Sequence, residues 1–263
     1  MKSYILRLFA ALVVSLGLVT LASVAACGSS SASTTGTVVL VHGAWADGSS
    51  WSSITRVLQA RGLKVVTVQL PRTSLADDAA TVTRAIDAQQ GPVLLVGHSY
   101  GGAVITQAGS INKVAGLVYV SAFAPGDNQS ISDLTSPFTK PAWQAGLVPD
   151  EAGFLTLNTD TYLSSFAPDL PKDTSSLLAT AQGPLNARCL TDKVSQAAWK
   201  SKPSWWVYGD QDQIIPAALQ RAEAKEIGAK ITSIAGASHV ALMSQPAAVA
   251  AVVLDAARAT GVL

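Results

Sequence analysis

Pro92-Val93-Leu94-Leu95-Val96-Gly97-His98-Ser99-Tyr100-Gly101-Gly102 decides how this chain is read. Its opening is a short apolar run that reads as a buried strand. Gly101 opens a stretch, to Ala108, with the character of a helix. Between them Gly97-His98-Ser99-Tyr100-Gly101 matches the pattern G-x-S-x-G, and the strand before and helix after it make the match informative. A sharp strand-to-helix turn needs residues without bulk beside the serine, and Gly97, Gly101 and Gly102 supply that room. The serine hydroxyl is then exposed, with the N–H groups of the helix start directed toward it. Ser99 is a candidate nucleophile.

The same rhythm extends in both directions. Strands are expected at residues 37–41, 63–70, 114–121, 205–208 and 230–234, and helices at 51–60, 74–90, 216–227 and 246–259. Strands alternating with helices imply crossover units and a mostly parallel sheet of about six strands, covered on both faces. Ser74 suits an N-cap, and Asp77 and Asp78 behind it are expected to be solvated carboxylates favoured by the helix dipole. From about residue 123 to 202 the rhythm breaks into scattered Pro, Asp, Ser and Thr with short helical pieces. That interruption is too long for an ordinary loop and is expected to form a small cap over the sheet's functional edge.

A serine hydroxyl needs a base to remove its proton. The chain has three histidines, His42, His98 and His239. His98 lies inside the turn itself and His42 at the end of the first strand, so both are expected to be structural. His239, in the loop after the last strand, remains as the general base. A carboxylate must orient it, and in the order Ser, acid, His the acid falls in Gly209-Asp210-Gln211-Asp212. Both aspartates are candidates, with Asp212 preferred and Asp210 read as a turn residue. The oxyanion of a tetrahedral intermediate would be held by the backbone N–H groups of Tyr100 and Ala44, the second in the loop after the first strand.

Val39-Leu40-Val41-His42-Gly43-Ala44-Trp45, the Gly-His-Ser-Tyr-Gly-Gly turn, Gly-Asp-Gln-Asp-Gln-Ile-Ile-Pro and Gly-Ala-Ser-His together resemble the α/β-hydrolase superfamily. They are most similar to the branch of bacterial carboxylesterases resembling pyrethroid hydrolases, with plant methyl-ester esterases and hydroxynitrile lyases. The resemblance runs from about Thr37 to the end and is weak in the cap. It implies that the acid is Asp212, followed closely by Ile215-Pro216, and that the reaction is hydrolysis of small-molecule carboxylic esters through an acyl-enzyme. Two other readings share the fold: a cyanohydrin lyase, or a small-molecule receptor with slow turnover. By the same resemblance a lyase carries Thr after the histidine of the first loop and Lys after the catalytic histidine, and here those places hold Gly43 and Val240.

Composition bounds the remaining classes. With 263 residues, 49% hydrophobic and 13% charged, the chain can bury a sizeable core. A formal net charge of +1, with no basic run, argues against a nucleic-acid partner. Neither H-E-x-x-H nor G-x-G-x-x-G occurs, so no metal or organic cofactor is implied. Lys2 and Arg7, the apolar stretch 8–22 and the small residues after it read as a signal peptide over residues 1–26. Val24-Ala25-Ala26-Cys27 resembles a bacterial lipobox, in which Cys27 is acylated. Residues 27–36 then form a flexible tether to a hydrolase domain at 37–263. The expected product is exported and lipid-anchored to a bacterial membrane, with sixteen basic and seventeen acidic residues after processing. Cys189 would have no disulfide partner.

Overall fold

The computed structural model describes residues 36–263, so the expected signal peptide, Cys27 and nearly all of the tether lie outside the described residues. Six strands form one sheet: β1 (Thr37–Val41), β2 (Lys64–Thr67), β3 (Val93–Ser99), β4 (Val114–Ala122), β8 (Ser204–Gly209) and β9 (Lys230–Ile234). Their spatial order is β2-β1-β3-β4-β8-β9, and every pairing is parallel. Residues of β1 and β3 are buried throughout, which is why both read as unbroken apolar runs rather than alternating ones.

The main helices are α1 (Ser52–Gln59), α2 (Leu75–Asp87), α3 (Tyr100–Ala108), α4 (Ile131–Thr135), α5 (Lys172–Ala181), α6 (Ala217–Glu226) and α7 (Pro246–Ala259). Two adjacent tryptophans show how the sheet is covered. The Trp205 indole N–H donates to Asp255 on α7, and that of Trp206 donates to Gln220 on α6. Successive side chains of a strand point to opposite faces, so α6 and α7 lie on opposite sides of the sheet. Trp206 also stacks on Tyr119 of β4, whose hydroxyl meets Thr106 of α3, placing α3 on the α6 side.

Three local expectations change. The second strand is shorter than residues 63–70, because the Val68 N–H makes the last bond to β1, at the Leu40 carbonyl, and the Leu70 N–H donates instead to Nε2 of His42. The segment between Ala122 and Ser204 holds more than helical pieces, since β5 (Leu147–Pro149), β6 (Phe154–Leu157) and β7 (Leu185–Asn186) build an antiparallel three-stranded sheet. Strands of two to four residues are too short to show a period in sequence. The third change concerns the paired carboxylates. Asp77 is solvated and bonds Thr73 and Ser74, but Asp78 is completely buried on the inner face of α2.

The sheet order places the site. The chain runs from β1 outward to β2, then returns to lay β3 on the other side of β1. Loops leaving the carboxyl ends of β1 and β3 therefore diverge, and a crevice opens between them.

Candidate active site

Ser99 sits at the end of β3 with φ 54° and ψ −124°, a conformation that side-chain-bearing residues rarely adopt. Holding it costs on the order of 1–3 kcal/mol, so the surrounding packing must enforce it. That packing is visible at two glycines. A Cβ on Gly97 would stand 2.5 Å from the Gly101 carbonyl oxygen, and one on Gly101 would stand 2.6 Å from that of Val41. The turn is closed onto itself and pressed against the end of β1. The β3–β4 register also slips between His98 and Ser99: Ser121 of β4 is the extra residue, at φ 42°, and Ser99 pairs with Ala122.

His239 follows β9 and is fully buried. Its Nδ1 lies 2.9 Å from Oδ2 of Asp212. Asp212 comes from the loop after β8 and accepts three further hydrogen bonds: the N–H groups of Ile214 and Ile215 at 2.9 Å each, and the Gln220 amide at 2.8 Å. A carboxylate so occupied accepts the Nδ1 proton, which leaves the lone pair of His239 on Nε2. Among the described residues Nε2 has no hydrogen-bond partner, and it is not bonded to the Ser99 hydroxyl. Asp210 does something else. It is exposed, and its Oδ1 accepts from the Gly236 N–H at 2.8 Å, bracing the loop that leads to His239, and from the neighbouring Gln211 amide at 3.2 Å.

The other two histidines hold backbone. His42 donates from Nδ1 to the Gly43 carbonyl and accepts the Leu70 N–H at Nε2, which requires the neutral ring. Burial lowers its pKa to about 4. His98 donates from Nε2 to the main-chain oxygen of His239 at 3.0 Å, and the two rings lie 4.7 Å apart. Burial first, and the neighbouring His239 second, hold His98 well below the usual imidazole range.

Ser99, Ala44 and Tyr100 line one cavity of about 420 Å³. Its wall is mostly apolar, with Trp45, Phe123, Phe138, Trp143, Leu190 and Leu219, and Lys140 is its one charged lining residue among those described. Trp45 meets Trp143 edge-on at 5.6 Å and Phe166 at 6.0 Å. Both indole N–H groups donate to carbonyls, Trp45 to Leu155 and Trp143 to Ile214, so the rings turn hydrocarbon toward the cavity. Phe166, from the inserted segment, also lies edge-on against His239 at 5.2 Å.

Sequence reasoning did not find Gln220, which ties the Asp212 carboxylate to α6, nor Asp169, which reaches from the inserted segment to the residue before His239. Neither carries a local signal. A surface-like Gln on a helix and an Asp in a polar stretch become visible only through partners 8 and 69 residues away.

The chain matches the alpha/beta hydrolase family over residues 38–252. It is 30% identical over 166 residues, 58% of this chain and 67% of the relative, to a carbendazim hydrolyzing esterase of Nocardioides sp. (strain SG-4G). It is 24% identical over 252 residues, 79% of this chain and 90% of the relative, to norfluorocurarine synthase 2 of Strychnos sp. The crystal structure of a pyrethroid hydrolase from Sphingobium faniae JZ-2 superposes with a TM-score of 0.74 at 21% identity, covering 86% of this chain and 98% of that one. At that identity the likeness speaks to the fold. The family match runs from β1 into α7 and includes every strand end that carries Ser99, Asp212 and His239, so this chain belongs to the alpha/beta hydrolase family.

Proposed function

We propose that the protein is a serine esterase acting on small carboxylic esters. The observation that carries the reading is the buried Asp212–His239 pair, whose Nε2 is left without a partner, together with a strained Ser99 that lines a mostly apolar cavity beside Ile214 and Ile215, the residues whose N–H groups hold Asp212. In this reading Ser99 Oγ attacks the ester carbonyl while Nε2 of His239 takes its proton. Asp212 holds the tautomer and stabilises the imidazolium. Tyr100 stands at the first position of α3, where a helix N–H has no intrahelical partner, and with the Ala44 amide it would hold the oxyanion. Collapse releases the alcohol, protonated by His239. Water then attacks the acyl-enzyme with His239 again as base.

The esterase name of the Nocardioides relative supports the same reaction class. The cavity supports an ester with an apolar acyl or alcohol part, because Trp45, Phe123, Phe138, Trp143, Leu190 and Leu219 make its wall mostly apolar, with Lys140 its one charged lining residue among those described. Val240 beside His239 is buried and offers no cation, which disfavours release of cyanide from a cyanohydrin.

The test is labelling and turnover. A fluorophosphonate should modify wild type once, at Ser99, and Ser99→Ala should fold, lose labelling and lose turnover of 4-nitrophenyl butyrate. Asp212→Asn should lower turnover by about 10⁴-fold, and Asp210→Asn far less. Labelling elsewhere, or an active Ser99→Ala, would remove the assignment. We also propose that the enzyme is exported and tethered to a membrane through acylated Cys27. Cys27→Ser should then move it to the soluble fraction, and a wild type found wholly soluble would defeat that reading.

A further inference from the structure

Asp78 is a fully buried carboxylate that the reaction above does not use. Its Oδ2 accepts the Tyr100 hydroxyl at 2.6 Å, and its Oδ1 accepts the Arg72 N–H at 2.7 Å. Both partners lead to the site. Tyr100 directly follows Ser99 and is 1% exposed, and its phenol adds a side-chain tie to the backbone packing that holds the turn. Arg72 has φ 59°, and its guanidinium donates through Nη1 to the Ala46 carbonyl at 2.8 Å. Ala46 is two residues beyond Ala44, in the loop that supplies the second amide. The same guanidinium donates through Nε to the Pro184 carbonyl of the inserted segment at 3.1 Å.

We propose that Asp78 is a positioning residue for oxyanion stabilisation: one buried carboxylate links, through the Tyr100 phenol and Arg72, the two loops whose amides must converge on one oxygen. The proposal rests on the esterase reading and adds a residue to it. The physical need is clear. Tyr100 belongs to the turn after β3 and Ala44 to the loop after β1, and no covalent connection keeps their N–H groups at a common focus. Donors of this kind work because they are aimed before the charge develops, and small misplacement forfeits much of their effect. Burial discourages ionisation of the Tyr100 phenol, so it remains a donor.

A purely packing role for Asp78 would lower stability and leave transition-state binding alone. The experiment separates the two. Tyr100→Phe removes one hydroxyl, and Asp78→Asn keeps an acceptor for Arg72 while changing what faces Tyr100. For wild type, both single variants and the double variant, kcat and KM are measured on 4-nitrophenyl butyrate. Inhibition is measured with an alkyl trifluoromethyl ketone, which adds to the serine and places an oxyanion in the same position. Positioning predicts a kcat lower by about 10-fold or more, KM within about twofold, and ketone affinity weakened in parallel with kcat. The double variant should be no worse than the worse single, since the groups act as one unit.

Unchanged kcat and ketone affinity in folded Tyr100→Phe would overturn the proposal, and this variant decides if Asp78→Asn does not fold. A wild type that neither turns over the ester nor is labelled at Ser99 would overturn the esterase reading itself, and this proposal with it. An active, labelled wild type beside unaffected variants overturns the positioning role alone.

Discussion

Asp169 grips Ser238 at two points, accepting its N–H at 2.9 Å through Oδ2 and its hydroxyl at 2.5 Å through Oδ1. Ser238 precedes His239 and is buried, whereas Asp169 belongs to the inserted segment and is exposed. The Ser238 hydroxyl in turn accepts the Val240 N–H, so a carboxylate of the inserted segment holds Ser238 directly and Val240 through it, on either side of His239. The inserted segment thus reaches the histidine loop directly, in addition to walling the cavity.

In the proposed reaction that grip sets where Nε2 stands. Asp169→Ala should lower kcat by roughly 10- to 100-fold, the scale of a misplacement of about 1 Å, while leaving the core intact. Asp169→Asn, which retains one acceptor for Ser238, should recover part of the loss. Steady-state kinetics alongside a thermal melt checks this, and an unchanged kcat in the alanine variant would show that the loop is held by other contacts.

Gly43 faces the serine. A Cβ there would stand 2.7 Å from Cβ of Ser99 and 2.9 Å from the His98 carbonyl oxygen. Either the turn moves or the first loop does, and in both cases the space beside the Ser99 hydroxyl closes. Gly43→Ala should cut kcat/KM by at least about 100-fold, comparable to loss of an oxyanion donor, and slow fluorophosphonate labelling of Ser99. Near-normal labelling would mean that the loop can relax away from the turn.

Glu223 on α6 is 3% exposed, and its Oε2 accepts the Ala124 N–H at 2.8 Å while Oε1 has no partner. Burial raises its pKa from 4.5 to about 8, against the opposing effect of the Ala124 hydrogen bond. The folded chain therefore holds a proton between those values that the unfolded chain releases. The stability this contributes is complete below pH 4.5 and is lost as pH rises through about 8. Glu223→Gln keeps an acceptor for Ala124 and has no charge to bury. It should melt near wild type at pH 5 and several degrees above it at pH 9. Parallel melting curves across that range would show that Glu223 gains solvent when it ionises.

The chain by itself determined the parallel sheet, because strands covered on both faces must be apolar throughout and stand out between helices. It also determined where the turn bearing Ser99 would fall, since a tight strand-to-helix reversal leaves glycine at Gly97 and Gly101 and almost nothing else. Chain order left Asp210 and Asp212 both open as the acid; the family resemblance, through the following Ile215-Pro216, implied Asp212, and the structure hydrogen-bonds Asp212 to His239. Tertiary structure alone decided which other polar groups matter. Asp77 and Asp78 are adjacent and chemically alike, yet one is solvated and the other buried against Tyr100, 22 residues away. Asp169 acts on a loop 69 residues distant. A helix dipole favours both aspartates of such a pair equally, and only the packing of α2 on α3 selects the one whose charge is taken from water and must find partners.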